Sequence, residues 1–163
     1  AYPLGRINRF GGNANFLGSK EWGAKVYEEF DTPTPLDLQI QTSWFPDARH
    51  LNIHVNGQFS YGYIGGLSLS VLFVESGLIG DQLNYNNNPE HIEDYEFNHL
   101  LRGSVSGATG LPVIYDAVAG DSFQSDFTVT WNEEWVIENS SLVAIVSDES
   151  GYVVNCLGIH LTE

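Results

Sequence analysis

Residues 67–103 read LSLSVLFVESGLIGDQLNYNNNPEHIEDYEFNHLLRG, and this stretch decides the fold. It opens with four apolar residues at two-residue spacing, Leu67, Leu69, Val71 and Phe73. That period is typical of a β-strand with one face in a core. Gly77 and Gly80 are predicted to end the strand, and a loop rich in Asn and acidic residues follows over residues 81–94.

Segments on both sides of this stretch predict a fold that is mainly β. The same alternation, or a short apolar run, recurs at residues 36–44, 51–55, 127–131, 142–146 and 153–161. Asn56-Gly57 is typical of a hairpin turn. About eight strands with short connections predict an antiparallel β-sandwich, either immunoglobulin-like or jelly-roll.

One short helix is predicted near the N-terminus. Trp22, Val26 and Phe30 recur at four-residue spacing, which is typical of a helix with one apolar face. Ser19 is its predicted N-cap, and Pro33 prevents the helix from continuing.

Charge is divided unevenly along the chain and predicts a boundary near residue 30. Residues 1–25 contain four basic residues and one acid, a net +3, whereas the remainder contains two basic residues and twenty acids, a net −18. We therefore predict a strand–helix appendage over residues 1–31 and a β-sandwich domain over residues 32–163.

Composition limits the partners of the chain. The formal net charge of −15 argues against nucleic acid and anionic membranes, because both are themselves negative. No apolar run is long enough to span a membrane, so no transmembrane segment is predicted in this chain. The single cysteine, Cys156, excludes an intrachain disulfide and is expected to be buried in a strand.

Two stretches, VLFVESGLIGDQ at residues 71–82 and EFNHLLRGSVSGATG at residues 96–110, resemble the twenty-eight-kilodalton outer-membrane protein family of Bacteroidetes. The chain departs from the family motif at Ser76, where Asp is usual, and at Glu96, where His is usual. The positions that match the motif are Val74, Glu75, Gly77, Gln82, Asn98, His99, Leu101 and Arg102.

The resemblance implies a cell-envelope lipoprotein at the outer membrane or cell surface, regarded as an adhesin or receptor and anchored by a part outside this chain. It also implies that residues 1–31 are the tail of a truncated thioredoxin-like domain, with Pro3 as the cis-proline of that domain.

The motif residues Glu75, Gln82, Asn98, His99 and Arg102 are predicted to be structural. Arg102 is the only Lys or Arg after Arg49, and a lone cation among many acids is expected to be paired, here with Glu75 or Asp94. His99 is expected to bond a loop carbonyl. The alternative is that His99 and Arg102 form a ligand or catalytic pair.

The acidic loop, taken as residues 81–96, is the candidate metal site. Asp81, Glu93 and Asp94 carry the oxygen ligands that Ca²⁺ prefers. The loop lacks the residue pattern of an EF-hand, so calcium is a candidate only and no other cofactor is predicted. The alternative is a solvated acidic loop without a metal.

Aromatic residues are the candidate ligand-binding groups, since exposed rings stack on sugars and anchor protein interfaces. Trp44 and Trp131 continue the apolar alternation and are expected in the core. Trp135 falls in a predicted turn and, like Tyr85, is expected to be exposed. The predicted ligand-binding residues are Tyr85, Trp135, Tyr61 and Tyr63.

Three hypotheses for function follow. The first is a non-enzymatic surface adhesin or receptor that binds a protein or a glycan. The second is a docking or spacer module for a thioredoxin-like domain, which an exposed apolar patch at Trp22, Val26 and Phe30 would favour. The third is a glycan hydrolase, which needs two carboxylates about 5–9.5 Å apart. No hydrolase motif is present, so we predict that the chain is not an enzyme.

Overall fold

The structure is a computed structural model and describes residues 4–9, 16–85, 88 and 90–161. Helix α1 spans Trp22–Phe30. The strands within the described ranges are β1 (Leu4–Gly5), β2 (Leu17–Gly18), β3 (Leu36–Phe45), β4 (His50–Phe59), β5 (Tyr63–Glu75), β6 (Leu78–Leu83), β7 (His91–Phe97), β8 (Leu100–Ser104), β9 (Leu111–Ala117), β10 (Ser122–Thr130), β11 (Ser140–Asp148) and β12 (Val153–His160).

Two antiparallel sheets form a sandwich. The smaller sheet has the strand order β10-β4-β3, and the larger has the order β12-β11-β5-β8, with β9 also paired to β5. Strands β6 and β7 form a separate hairpin, and β1 pairs with β2. The prediction of a mainly β, antiparallel sandwich with one N-terminal helix is confirmed. The predicted boundary between residues 1–31 and 32–163 stays a prediction.

The core lies between the two sheets, and β5 is at its centre. The four alternating residues of β5 that define the pattern are at most 3% exposed, and they face Leu51, Ile53 and Val55 of β4. Truncating a buried leucine in such a core costs about 2–5 kcal/mol. Trp131 is 2% exposed and Trp44 packs against the cluster, as predicted for both.

The two sheets also contact each other along one seam, between β3 and β12. Asn155 Nδ2 donates a hydrogen bond of 2.6 Å to Leu36 O, and Thr34 Oγ1 donates one of 3.0 Å to Val154 O. Each bond gives a backbone carbonyl oxygen a side-chain donor from the other side of the seam. They bring the segment before β3 close to the start of β12.

Asn56-Gly57 does not form a turn, so that prediction was wrong. Both residues lie inside β4, and the connection from β3 to β4 is a 3₁₀ turn at Pro46–Ala48. Gly57 faces the core, where an added Cβ atom would lie only 2.2 Å from the Phe123 ring. The glycine therefore leaves space for an aromatic ring, and the dipeptide has a packing role rather than a turn role.

Helix α1 begins later than predicted, and Ser19 is not its N-cap. Glu21 occupies the N-cap position and makes no side-chain bond to the helix. Glu21 N donates to Gly18 O, and Gly18 N donates to Glu21 Oε2, both at 2.9 Å. A tight turn thus occupies the residues predicted to start the helix.

Cys156 is exposed, so the expectation that it is buried was wrong. Leu157 and Ile159 pack toward the core, and side chains alternate across a strand. Cys156 therefore points away from the core on β12, which is the outermost strand of the larger sheet.

Candidate functional site

Strand β5 carries predicted functional or motif residues at both ends. Tyr61 and Tyr63 lie at its start, and Glu75 is its last residue. Glu75 is 2% exposed, and its Oε1 atom accepts a hydrogen bond of 3.0 Å from Val136 N. A buried carboxylate is costly unless a cation lies beside it.

Arg102 supplies that cation. Its Nε atom lies 3.1 Å from Glu75 Oε2, and its guanidinium carbon lies 5.6 Å from the centre of the Trp135 ring. Neither Nε nor Oε2 makes a well-directed hydrogen bond within the described residues, so the contact is an ion pair without the bidentate geometry that arginine can offer. The predicted partners of Arg102 were Glu75 or Asp94, and the structure pairs it with Glu75.

The other motif residues hold together the two chain segments beside this ion pair. Asn98 Oδ1 accepts a hydrogen bond from Gly77 N, and Ser76 Oγ accepts one from His99 N, both at 3.1 Å. Glycine is favoured at position 77 because the backbone φ there is +75°, a value that residues with a Cβ atom rarely adopt. Ser76 preserves an oxygen acceptor where the resemblance implies Asp. His99 acts through its backbone N–H, and the predicted bond from its ring to a loop carbonyl is absent among the described residues.

Trp135 is not the exposed platform that was predicted. It lies in a turn, as expected, but its ring is half-buried in a cluster with Phe73 and Trp131. The Trp131–Trp135 ring centres are 5.4 Å apart and perpendicular, and Trp131 Nε1 donates a 3.0 Å hydrogen bond to Trp135 O. The ring covers the Glu75–Arg102 pair, which is a structural use of an aromatic side chain.

The predicted acidic loop is largely a β-hairpin. Gln82 pairs with Ile92 and Leu83 with His91 across β6 and β7, so Gly80 lies inside a strand and does not end one. Gln82 Nε2 donates to Leu83 O at 2.8 Å. Tyr85 follows β6 and is 73% exposed, as predicted.

The three calcium candidates lie on this hairpin. Asp81 Oδ2 is 3.6 Å from His91 Nε2, and Glu93 and Asp94 are exposed. The described residues contain no group of three or more His, Cys, Asp or Glu side chains suited to hold a metal. Calcium binding by this hairpin therefore stays a prediction.

A pocket of about 250 Å³ opens at the other end of β5. Three tyrosines from different parts of the chain line it, namely Tyr61, Tyr63 and Tyr152. Its remaining walls come from the turn after β1, helix α1, the segment before β3 and the start of β12: Asn8, Glu29, Thr32, Pro33, Thr34, Pro35, Val153 and Val154. We call this the tyrosine pocket. Two of the four predicted ligand-binding aromatics meet there.

Hydrogen bonds fix two of the three rings. Tyr63 OH donates to Asp148 Oδ2, and Tyr152 OH donates to Glu29 Oε2, both at 3.0 Å. Tyr61 is 43% exposed and adds an accessible ring. Because the hydroxyls of Tyr63 and Tyr152 are engaged, these two residues offer mainly their ring faces, which a sugar or an apolar side chain can contact.

The electrostatics of the pocket come from the two carboxylates. Burial and the Asp148 carboxylate raise the pKa of Tyr63 to about 12. Burial opposes ionisation of Asp148, but hydrogen bonds from Ser150, Tyr63 and Tyr152 N hold its pKa below the usual value. The pKa of Glu29 is lowered mainly by the hydrogen bond from Lys25 and further, against burial, by bonds from Asn8 and Tyr152. Both carboxylates are therefore anchors at neutral pH.

Sequence reasoning missed Tyr152, Glu29 and Asn8. Asn8 Nδ2 donates to Glu29 Oε2 at 3.1 Å, and Val153 N donates to Asn8 O at 2.9 Å. These partners are more than twenty residues apart, so no local spacing could have predicted them. The only local signal was Tyr152 itself, an aromatic directly after the Asp148–Gly151 turn.

The outer face of the larger sheet forms a broader groove of about 700 Å³. Serines of β5, including Ser68 and Ser70, form its floor, and Asp148, Glu149 and Arg9 lie at its margin. It contains none of the predicted ligand-binding aromatics. Pro3, the predicted cis-proline, lies outside the described residues.

The fold has solved counterparts. A domain of the outer membrane lipoprotein Omp28 from Porphyromonas gingivalis superimposes with a TM-score of 0.53 at 18% identity, covering 81% of this chain and 93% of that one. A structure described as an ApaA protein from Bordetella pertussis covers 80% of this chain and 93% of that one, but its TM-score of 0.29 at 10% identity supports no argument. No curated protein matches the chain.

The family match is more extensive. The sequence matches the family described as outer membrane protein Omp28 over residues 1–160, which includes both motif stretches and all residues of the tyrosine pocket. No helix in the described ranges is long and apolar enough to cross a membrane. Since the match leaves out only the last three of 163 residues, the chain belongs to the Omp28 family of outer membrane proteins.

Proposed function

We propose that the chain is a non-enzymatic adhesin or receptor domain that binds a glycan or a protein through the tyrosine pocket. Membership of the Omp28 family places it in the cell envelope, at the outer membrane. The observation that supports the proposal is the meeting of Tyr61, Tyr63 and Tyr152 around one opening. Aromatic rings held at fixed positions are favoured contact groups for sugars and for protein side chains.

The size of the pocket limits what enters it. At about 250 Å³ it is smaller than the cavities of roughly 300–1,000 Å³ that enclose a whole small ligand. It suits one sugar ring or one side chain, so the ligand is the end or a branch of a larger molecule. The carboxylates of Glu29 and Asp148 are already bonded, which leaves ring contact as the main source of affinity.

Catalysis is not favoured by the chemistry of the pocket. A glycosidase needs a carboxylic acid whose pKa is raised, so that it can donate a proton. Glu29 and Asp148 instead have lowered pKa values, and hydrogen bonds hold both in place. They are suited to position the tyrosines rather than to transfer protons.

A binding screen with paired tyrosine variants tests the proposal. Immobilised glycans and immobilised proteins are screened with the wild-type chain, and each positive ligand is then measured with Tyr61→Ala. We expect affinity to fall at least tenfold, which corresponds to about 1.4 kcal/mol. Tyr115→Ala is the matched control, since Tyr115 is 66% exposed and lies outside the pocket. Unchanged binding by Tyr61→Ala for every positive ligand would refute the proposal.

A second candidate function is docking to another domain. Helix α1 has no buried residue, and it leaves Val26, Tyr27 and Phe30 exposed by 44%, 77% and 84%. An exposed apolar patch of this kind favours an interaction surface. A thioredoxin-like domain is the partner implied by the resemblance. Phe30→Ser should weaken that docking and leave ligand binding in the tyrosine pocket intact, and the opposite outcome would favour the pocket-centred account.

A further inference from the structure

The outer face of the smaller sheet has an unusual composition. Strands β3, β4 and β10 each turn five residues outward on this face. We call these fifteen positions the amide face: Asp37, Gln39, Gln41, Ser43, Phe45, His50, Asn52, His54, Asn56, Gln58, Ser122, Gln124, Asp126, Thr128 and Thr130. Six of the fifteen are Asn or Gln, including four of the five glutamines in the chain.

Amides rather than charged groups dominate the amide face. Its acidic residues are Asp37 and Asp126, which is about the share expected from 21 acids in 163 residues, and it carries no Lys, Arg or Glu. Asn is also depleted in strands generally, so its repeated use here needs a specific reason.

Several of the amides are free to bind. The side-chain amides of Gln39, Gln41, Asn56 and Gln58 make no hydrogen bond to any other described residue. By contrast, Asp126 is bonded by His54 and by Gln124 Nε2, and Asn52 Oδ1 accepts a 2.9 Å bond from Thr128 Oγ1. Each free amide presents two donor hydrogens and one acceptor oxygen.

The register arranges these groups in rows across the sheet. Gln39, Asn56 and Gln124 lie side by side, and so do Gln41, His54 and Asp126. Adjacent strands are about 4.8 Å apart, and rows on one face repeat about every 6.8 Å along a strand. The face is therefore roughly 27 Å long and 10 Å wide, with two depressions of about 310 and 250 Å³ along its length.

We propose that the amide face binds an extended, uncharged polysaccharide chain. Sugar hydroxyls are both donors and acceptors, and a side-chain amide can serve neighbouring hydroxyls with its N–H and C=O at the same time. Neutral amides cost less to desolvate than ionised groups, which suits an uncharged ligand. Phe45, which is 48% exposed, lies at one end of the face and provides a ring for stacking.

The charge of the chain argues against other polymers. Nucleic acids and acidic polysaccharides are repelled by a chain of net charge −15 that offers no Lys or Arg on this face. An apolar protein surface would leave the free amides buried and unpaired, which costs about 1–3 kcal/mol for each group. A polymer with closely spaced hydroxyls pairs with them instead.

This inference does not depend on the function proposed for the tyrosine pocket. Tyr61, Tyr63 and Tyr152 do not belong to the amide face, and the two sites share no lining residue.

Affinity electrophoresis tests the proposal with the whole chain. The native gels contain soluble hydroxyethylcellulose, glucomannan, xylan or dextran, and parallel gels contain polygalacturonate or alginate. We expect at least one neutral polysaccharide to retard the chain, and neither acidic one to do so. The exposed variant Gln41→Ala and the isosteric variant Asn56→Asp should each reduce the affinity at least threefold, and their combination at least tenfold.

Matched controls separate this surface from the rest of the chain. Gln82→Ala removes the one glutamine outside the amide face, and Tyr115→Ala alters an exposed tyrosine of β9 that belongs to neither site; both should be retarded like the wild type. Thermal unfolding should show that Gln41→Ala is as stable as the wild type, because the side chain is exposed. Equal retardation of Gln41→Ala, Asn56→Asp and wild type would overturn the proposal, as would no retardation by any neutral polysaccharide. Concentration-dependent dimerisation abolished by Asn56→Asp would also overturn it, since the face would then be a protein interface.

Discussion

The two ends of strand β5 differ in what their side chains do. At the Glu75 end a buried carboxylate, the Arg102 guanidinium and the Trp135 ring contact one another and leave little surface open. At the Tyr63 end three tyrosines surround an open pocket, with the hydroxyls of Tyr63 and Tyr152 tied back to carboxylates. Strand β5 thus connects a closed cluster of mutually contacting side chains to an accessible pocket.

The two ends also differ in what the sequence reveals: one carries the family motif, and the other carries the side chains that a ligand can reach. The motif by which the chain resembles its family lies mainly at the closed end, where removing one member leaves another buried and unpaired. The open end is built from residues that no local motif connects. We infer that the motif residues preserve the fold and that the pocket residues meet the ligand.

The largest effect is expected from Arg102→Ala. Removing the guanidinium leaves Glu75, which is 2% exposed, as an uncompensated buried charge. Breaking a buried pair costs about 3–5 kcal/mol, and denaturant unfolding would measure the loss. The double variant Glu75→Leu with Arg102→Leu should recover most of the stability, because no charge is then buried alone. A cost below about 1 kcal/mol for Arg102→Ala would remove the contrast between the two ends.

A smaller effect is expected at the open end from Tyr63→Phe. The variant deletes one hydrogen bond to Asp148, which keeps its bonds from Ser150 and Tyr152, so we expect a loss of about 1 kcal/mol. The folded-state pKa of Tyr63, about 12, lies above its usual 10.0, so its contribution is complete below pH 10 and is lost as the pH rises toward 12. Burial and the Glu29 hydrogen bond also raise the pKa of Tyr152, so ultraviolet titration should show one late-ionising tyrosine fewer in the variant than in the wild type.

Acid titration of stability tests the Asp148 anchor. The pKa of Asp148 is lowered in the folded chain from the usual 3.8, so its stabilising contribution is present above about pH 4 and is lost as the pH falls through the lowered value. We expect Asp148→Asn to reduce the slope of unfolding free energy against pH in that acidic range. Ser150→Ala, which removes only one of its donors, should reduce the slope less. Identical slopes for wild type and Asp148→Asn would contradict the assignment.

The smallest effect is expected from Lys25→Ala. Lys25 Nζ lies 2.8 Å from Glu29 Oε1 and 3.0 Å from Glu28 Oε2 on the surface of α1. The Glu28 side chain is exposed, whereas those of Lys25 and Glu29 are 20% and 11% exposed. Ion pairs near the surface contribute about 0–1 kcal/mol and are weakened by salt. Thermal unfolding at low and high salt should therefore differ less in the variant than in the wild type. A loss as large as that of Arg102→Ala would place a main stabilising interaction at the open end.

Periodicity predicted much of the fold. The alternation of Leu67, Leu69, Val71 and Phe73 is local, and one buried face imposes it directly. The Asn56-Gly57 prediction failed because a glycine can be required either by a turn or by a close side chain, and here the Phe123 ring requires it. The sequence alone does not show whether a turn or a close side chain requires the glycine.

The candidate site was predicted only in part. Arg102 could be expected to pair with Glu75 or Asp94 because it is the only Lys or Arg in the last 114 residues, and the structure selects Glu75. Tyr61 and Tyr63 were selected for their chemistry, but the pocket that they form depends on Glu29 and Tyr152, which meet across 123 residues of sequence. Trp135 was wrongly predicted to be exposed. A residue in a turn can place its ring over a buried ion pair as readily as it can place the ring in solvent.

The most direct test compares Tyr61→Ala and Arg102→Ala in one experiment that measures both unfolding free energy and affinity for the ligand found in the binding screen. We expect Tyr61→Ala to change stability by less than about 0.5 kcal/mol but to lower affinity at least tenfold. We expect Arg102→Ala to lose about 3–5 kcal/mol of stability yet to bind with wild-type affinity at a temperature where it is still folded. The reverse pattern, with affinity lost at Arg102 and kept at Tyr61, would show that the ligand site lies at the Glu75 end and not in the tyrosine pocket.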